Sequence, residues 1–163
     1  MFTYRKSLRK VLRRQYYYHV SRYPILKCNR TGERILLKPL DSTEVYGRGL
    51  YEPMNSRICV APTIQHCLSS IYINPNAPFI YVYRTCHPVL ARYPYDVADS
   101  RVTREKWLIY PTWFKLVRII NPSLIHGWPR LGMDPGISDY YALQKQRKYQ
   151  NKIKRILDIH GII

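Results

Sequence analysis

The stretch Tyr16-Tyr17-Tyr18-His19-Val20-Ser21-Arg22-Tyr23-Pro24 decides how the rest of the chain is read. Tyrosines, a β-branched valine and an imidazole in so short a run fit a pleated surface and crowd a helical one, so the run predicts a β-strand. With a side-chain period of two, Tyr17, His19 and Ser21 point to one side and Tyr16, Tyr18 and Val20 to the other. One face is therefore aromatic and apolar, while the other carries a phenol, a ring nitrogen and a hydroxyl. Taken alone, Tyr17 and His19 read as half-exposed strand residues with ordinary hydrogen bonds.

A second polar strand is expected more than eighty residues further on, in Val102-Thr103-Arg104-Glu105-Lys106-Trp107-Leu108-Ile109-Tyr110. The same alternation puts Thr103, Glu105 and Trp107 on one face, so a hydroxyl sits beside a carboxylate. The chain has only 10 Asp and Glu, which makes Glu105 stand out. Its ordinary role would be a surface ion pair with Arg104 or Lys106. Its chemical role would be to bind a ribose hydroxyl and stabilise a developing oxocarbenium cation.

Between and around these two strands the pattern is mixed. Residues 57–62 predict a short strand, and 63–71 a helix with Ile64, Cys67, Leu68 and Ile71 at helical spacing, started by Thr63 or by Pro62 just before it. Residues 79–85 predict a buried strand, 34–37 a short one, 88–94 an irregular segment with an edge piece, and 114–120 a last strand. Residues 25–53 and 123–136 are punctuated by Gly and Pro and read as loops. Residues 138–159 read as a terminal helix ending near Gly161, docking through Tyr149, Ile153, Ile156 and Leu157. At the other end, 3–15 reads as a basic amphipathic helix capped by Thr3, with Tyr4, Leu8, Val11 and Leu12 as its apolar stripe.

The 163 residues suit a single domain with a real core. Lys and Arg number 27 against 10 acids, a net charge of +17, which predicts attraction to nucleic acid, an anionic membrane surface or an acidic protein. The cations expected to meet nucleic acid are Arg5, Lys6, Arg9, Lys10, Arg13 and Arg14 at the N-terminus and Lys145, Arg147, Lys148, Lys152, Lys154 and Arg155 at the C-terminus. Sixteen tyrosines could add base stacking. Cys28, Cys59, Cys67 and Cys86 lack paired spacing and read as free thiols of a reducing, cytoplasmic compartment, with Cys59 and Cys67 buried. A zinc site from His66, Cys67, Cys86 and His87 lacks ligand spacing. No apolar run approaches the roughly 20 residues that cross a bilayer. The Arg-rich, acid-free N-terminus leaves a mitochondrial presequence as an alternative.

Taken in order, the His-x-Ser strand, the Gly-containing loop, strand-turn-helix, buried strand and Thr-x-Glu strand resemble the ADP-ribosyltransferase-like fold over residues 16–120. The resemblance is to its His-Tyr-Glu branch, which includes diphtheria-toxin-like transferases, poly-ADP-ribose polymerases and, more distantly, RNA 2′-phosphotransferases. It implies an α+β domain with a compact split sheet, mixed or antiparallel, here flanked by basic terminal helices. It further implies NAD as substrate. His19 would hold the adenosine-side ribose, with the backbone beside it gripping the nicotinamide amide, and Ser21 matches the small polar position two residues later. Glu105 matches the catalytic glutamate, and Thr103 the position that helps choose the acceptor. Tyr51, in the segment Tyr46-Gly47-Arg48-Gly49-Leu50-Tyr51, is chosen over Tyr46 and Tyr72 as the ring stacked on nicotinamide. The family usually has Gly after the histidine, where this chain has Val20.

The expected function is NAD-dependent ADP-ribosyl transfer to a nucleic acid or a nucleic-acid-associated protein. One alternative is a non-catalytic basic protein, for instance a viral inhibitor, that binds nucleic acid or blocks a host or defence complex. Another is RNA 2′-phosphotransferase chemistry, for which Arg22, Arg48, Arg57 and Arg84 are available around a phosphate.

Overall fold

The computed structural model describes residues 14–40, 56–70, 78–94, 103–124 and 139–162. Among them are six strands and two α-helices: β1 (Tyr18–Ser21), β2 (Arg34–Leu37), β3 (Ile58–Val60), α1 (Ile64–Ser70), β4 (Ile80–Thr85), β5 (Lys106–Leu108), β6 (Thr112–Ile120) and α2 (Asp139–Ile159). The result is an α+β arrangement in which every strand pairing is antiparallel.

Four strands form one sheet in the order β1-β4-β6-β2, and β3 pairs with β5 in a second. The short sheet is tied to both edges of the long one. Tyr18 of β1 exchanges backbone hydrogen bonds with Ala61 just after β3, and Leu40, beyond β2, does the same with Arg57 just before it. The β3–β5 pair therefore lies across one face of the long sheet. Between them sits a core of Tyr17, Ile35, Leu37, Ile58, Val60, Tyr83, Leu108, Phe114 and Leu116. On the opposite face α1 and α2 enclose Val20, Ile64, Leu68, Ile80, Val82, Ile120, Ile153 and Leu157.

One strand serves both cores because it carries a bulge. Tyr83 pairs with Leu116 but Val82 pairs with Arg118, so Val117 is the extra residue. An added residue reverses the alternation. Phe114 and Leu116 accordingly face β3 and β5, while Ile120 faces the helices.

Local chemistry sets the ends of the elements. Thr63 caps α1, its hydroxyl accepting the His66 backbone N–H at 3.3 Å. Helix α2 ends on Gly161 at φ 60°: Gly161 N–H bonds to Asp158 O at 3.1 Å and Ile162 N–H to Leu157 O at 2.8 Å. That double bond pattern needs a left-handed residue and seats Ile162 on the helix-side core. Gly32, at φ 100°, closes the turn before β2, where the Glu33 carboxylate accepts the backbone N–H groups of Asn29 and Arg30.

Three expectations change. The strand expected over 102–110 is only Lys106–Leu108, because Arg104 takes a left-handed φ of 53° that breaks the alternation. Thr103 is fully buried and its hydroxyl accepts the Glu105 N–H, so it does not share a face with Glu105. The helix expected over 3–15 does not reach its last residue, since Gln15 pairs with Val89 as extended chain; residues 3–13 lie outside the described residues. Among the described residues no helix is long and apolar enough to cross a membrane.

Phe114 is fully buried between the sheets, whereas its neighbour Trp113 is 53% exposed on the other face. Phe114→Ala should lower stability by about 3–5 kcal/mol, read as a shifted urea midpoint, while Trp113→Ala should stay within about 0.5 kcal/mol of the parent.

Candidate functional site

The alternation of β1 directs Tyr17, His19 and Ser21 toward the β3–β5 side, as the sequence pattern requires. They then diverge in role. Tyr17 is a core residue at 4% exposure. Ser21 uses its hydroxyl to accept the Tyr23 N–H at 3.2 Å and shapes the turn that ends the strand. His19 is half-buried, its ring packed near Tyr83 and edge-on to Phe114, with centroids 6.4 and 6.2 Å away.

The decisive contact of His19 is with backbone. Its Nδ1 lies 2.9 Å from the Cys59 carbonyl oxygen. In an antiparallel ladder hydrogen-bonded pairs recur every second residue. After the Tyr18–Ala61 pair the next rung would therefore run from Val20 N–H to Cys59 O. The imidazole takes that place, and the two sheets part beyond Ala61. A carbonyl only accepts, so Nδ1 carries the proton and Nε2 of the neutral ring is left as an acceptor. Burial lowers the His19 pKa, against the opposing pull of the Cys59 carbonyl, which favours that neutral form.

Glu105 reaches the same residue from the other side. It precedes β5, whose Trp107 pairs with Cys59. Its Oε1 accepts the Trp107 indole N–H at 2.8 Å, and its carboxylate hydrogen bonds with the Cys59 thiol. The thiol is pushed up to about 12, first by crowding around the sulfur and then by the Glu105 charge. The Arg57 guanidinium lies over the Trp107 ring at 4.5 Å, adding a cation to the same small sheet. Arg57, Cys59, Glu105 and Trp107 thus gather on the short sheet, and the His19 ring is bonded to its backbone at Cys59.

Such a group can do specific chemistry. Nε2 offers a neutral acceptor suited to a hydroxyl, and Glu105 is a fixed anion whose orientation the indole N–H sets. Val20 points to the helices, where it is buried at 8% exposure, so its side chain does not narrow the split. Its backbone N–H and C=O turn toward the split by the same alternation.

Cys59 and Trp107 were not singled out from the sequence as site residues, and Arg57 only as an arginine available to a phosphate. Their signals were present: in Ile58-Cys59-Val60 the flanking residues are buried and Cys59 is exposed, which corrects the expectation that its side chain is buried, and Trp107 stands two residues from Glu105. Tyr51, with Tyr46 and Tyr72, lies outside the described residues, as do Arg5, Lys6, Arg9, Lys10 and Arg13. Arg14, Lys148, Lys152, Lys154 and Arg155 are exposed; the side chains of Lys145, Arg147 and Tyr149 are outside the described set. His66 and Cys67 are committed elsewhere, His66 to the Thr63 hydroxyl and Cys67 as donor to Tyr18 O at 3.0 Å. No family model, curated protein or solved structure matches the chain.

Two measurements check this geometry. Burial depresses His19 and also His66, the latter aided by the nearby Arg104 charge. The folded state therefore binds fewer protons than the unfolded one below the ordinary value of 6.5. Stability should be complete above that pH and fall as pH drops through the folded pKa values. Urea midpoints should follow that slope, and His19→Asn, which keeps an N–H for Cys59 O but does not titrate, should flatten part of it. Separately, alkylation of Cys59, followed by peptide mass, should speed up several-fold in Glu105→Gln, because removing the anion restores thiolate. An unchanged rate would place the carboxylate away from the sulfur.

Proposed function

We propose that the protein is an ADP-ribosyltransferase that takes NAD as substrate and modifies a nucleic acid or a nucleic-acid-associated protein. The reading rests on one residue of β3 that links both strands, the Cys59 carbonyl taking the His19 ring and the Cys59 thiol meeting the Glu105 carboxylate. Supporting it are the parting of β1 from β3 beyond Ala61 and the order of elements along 16–120, which resembles that of the ADP-ribosyltransferase-like fold although Glu105 precedes its strand. The donor set suits NAD: a neutral imidazole acceptor for a ribose hydroxyl, unladdered Val20 backbone groups for the nicotinamide carboxamide, and one anion for the reacting ribose.

In the reaction, Glu105 accepts a hydrogen bond from the ribose hydroxyl beside the anomeric carbon and its charge stabilises the cation that forms there. The bond from that carbon to the nicotinamide nitrogen breaks, its electron pair leaves with neutral nicotinamide, and the acceptor's nucleophilic atom bonds to the carbon and gives up its proton. Trp107 fixes the carboxylate in the orientation this requires. Tyr51 is assigned to stacking on nicotinamide, and Ser21 acts by shaping the end of β1. Thr103 supports Glu105 through its backbone N–H. Exposed cations of α2 and those of 3–14 attract the acceptor.

The 2′-phosphotransferase reading needs arginines gathered on a phosphate. Arg57 instead lies over Trp107 on the short sheet, and β4 places Arg84 apart from it, on the helix side of the long sheet. Against the non-catalytic reading stands a carboxylate whose orientation an indole N–H sets.

Purified protein incubated with NAD carrying a labelled adenylate should release nicotinamide and transfer label to RNA, DNA or protein. Glu105→Gln should reduce this by about 100-fold or more, in line with loss of a principal electrostatic stabiliser, while retaining the parent thermal midpoint. Full transfer by that variant refutes the site; absence of both nicotinamide release and a NAD-induced thermal shift favours the non-catalytic module.

A further inference from the structure

Among the described residues, only part of the helix side of the long sheet is covered. Helices α1 and α2 pack over Val20, Ile80, Val82 and Ile120. Further along the same strands the same face carries Arg34, Leu36, Trp113, Lys115 and Arg84. The register brings three of these into line: Arg34 is directly opposite Lys115, and Lys115 directly opposite Arg84. Neighbouring strands lie about 4.8 Å apart, so three cations run across β2, β6 and β4 in one row. The row ends at Tyr18, the partner of Arg84 on β1.

Like charges directly opposed across a ladder oppose pairing. A sheet shaped for stability alone would alternate their sign, and here no carboxylate does so among the described residues. Glu33, the nearest in sequence, is committed to the backbone of the turn at 29–32, and Glu105 accepts the Trp107 indole N–H of the short sheet. Aromatic rings edge the row. Trp113 is 53% exposed and Tyr16 is 42% exposed, and Tyr16 lies under the Arg84 guanidinium.

We propose that this row, Arg34, Lys115 and Arg84 with Trp113 and Tyr16, is a platform for single-stranded nucleic acid. The cations neutralise successive phosphates, which removes their mutual repulsion, and the flat exposed indole stacks an unpaired base. A duplex cannot use the ring in this way because its bases are already stacked. The surface lies on the opposite face of the sheet from His19 and stands independently of transfer chemistry: the platform holds a strand whether or not NAD is cleaved.

Fluorescence anisotropy with a short labelled oligonucleotide tests it, using single-stranded RNA, single-stranded DNA and the corresponding duplex, with polyphosphate as a base-free polyanion. The full chain should bind both single strands more tightly than duplex. Replacing Arg34, Lys115 and Arg84 together by Gln should weaken binding and reduce the slope of log K against log salt by roughly 2, with the thermal midpoint unchanged or raised. Trp113→Ala should weaken single-strand binding roughly 5- to 150-fold while leaving the salt slope alone. Glu105→Gln should bind like the parent, which separates this surface from the transfer site. The proposal is overturned if the triple variant keeps the parent slope while replacing Lys148, Lys152, Lys154 and Arg155 of α2 abolishes binding. It is equally overturned if duplex and polyphosphate bind as tightly as single strands and Trp113→Ala changes nothing.

Discussion

The Cys59 carbonyl is the acceptor on which the architecture turns. In a continuous ladder it would belong to Val20 N–H; here it belongs to the His19 ring. Because an imidazole reaches farther than a backbone N–H, β3 leaves the plane of β1 after a single pair of backbone bonds at Ala61. It can then cross the long sheet and regain contact with its opposite edge through Leu40 and Arg57. The apolar layer of Phe114, Leu116, Ile58 and Leu108 fills the space that this crossing encloses. The same substitution of side chain for backbone parts β1 from β3 beside Cys59, whose thiol meets Glu105. A change at His19 is thus a change to the frame as well as to the site.

Much of this was legible in the chain because most strands obey one rule. The alternation in 16–24 placed His19 and Val20 on opposite faces, and the helical spacing of Ile64, Cys67 and Leu68 marked the buried side of α1. What failed did so for a physical reason. Thr103 and Glu105 were read as neighbours on one face because nothing in the residue type of Arg104 announces a left-handed φ, a conformation that non-glycine residues seldom adopt. The bulge at Val117 was equally silent, since an inserted residue is visible only against the strand it pairs with. The bond from His19 to Cys59 was silent too, because it uses a carbonyl, which every residue possesses.

Charge is distributed as unevenly as hydrophobicity. The four-stranded sheet keeps its buried apolar residues under the helices and beneath β3, and places cations in register beside an exposed Trp113 where neither layer lies. A total of +17 describes the molecule's attraction to polyanions, whereas the row across β2, β6 and β4 gives that attraction a place and a direction. The split at Cys59 and the cationic row lie on opposite faces of β4, so His19 and Arg84 are supported by the same strand without sharing a surface.

The reversal of phase at Val117 has a consequence for how the molecule comes apart. Strands β4 and β6 are each stitched into both apolar layers, with Val82 beside Tyr83 and Leu116 a few residues from Ile120. Neither layer can open while the other stays closed, because releasing either strand exposes both. Although the chain is folded as three tiers, its described part should melt as one cooperative unit, and a lesion in the helical tier will be felt at the split on the far side of the sheet.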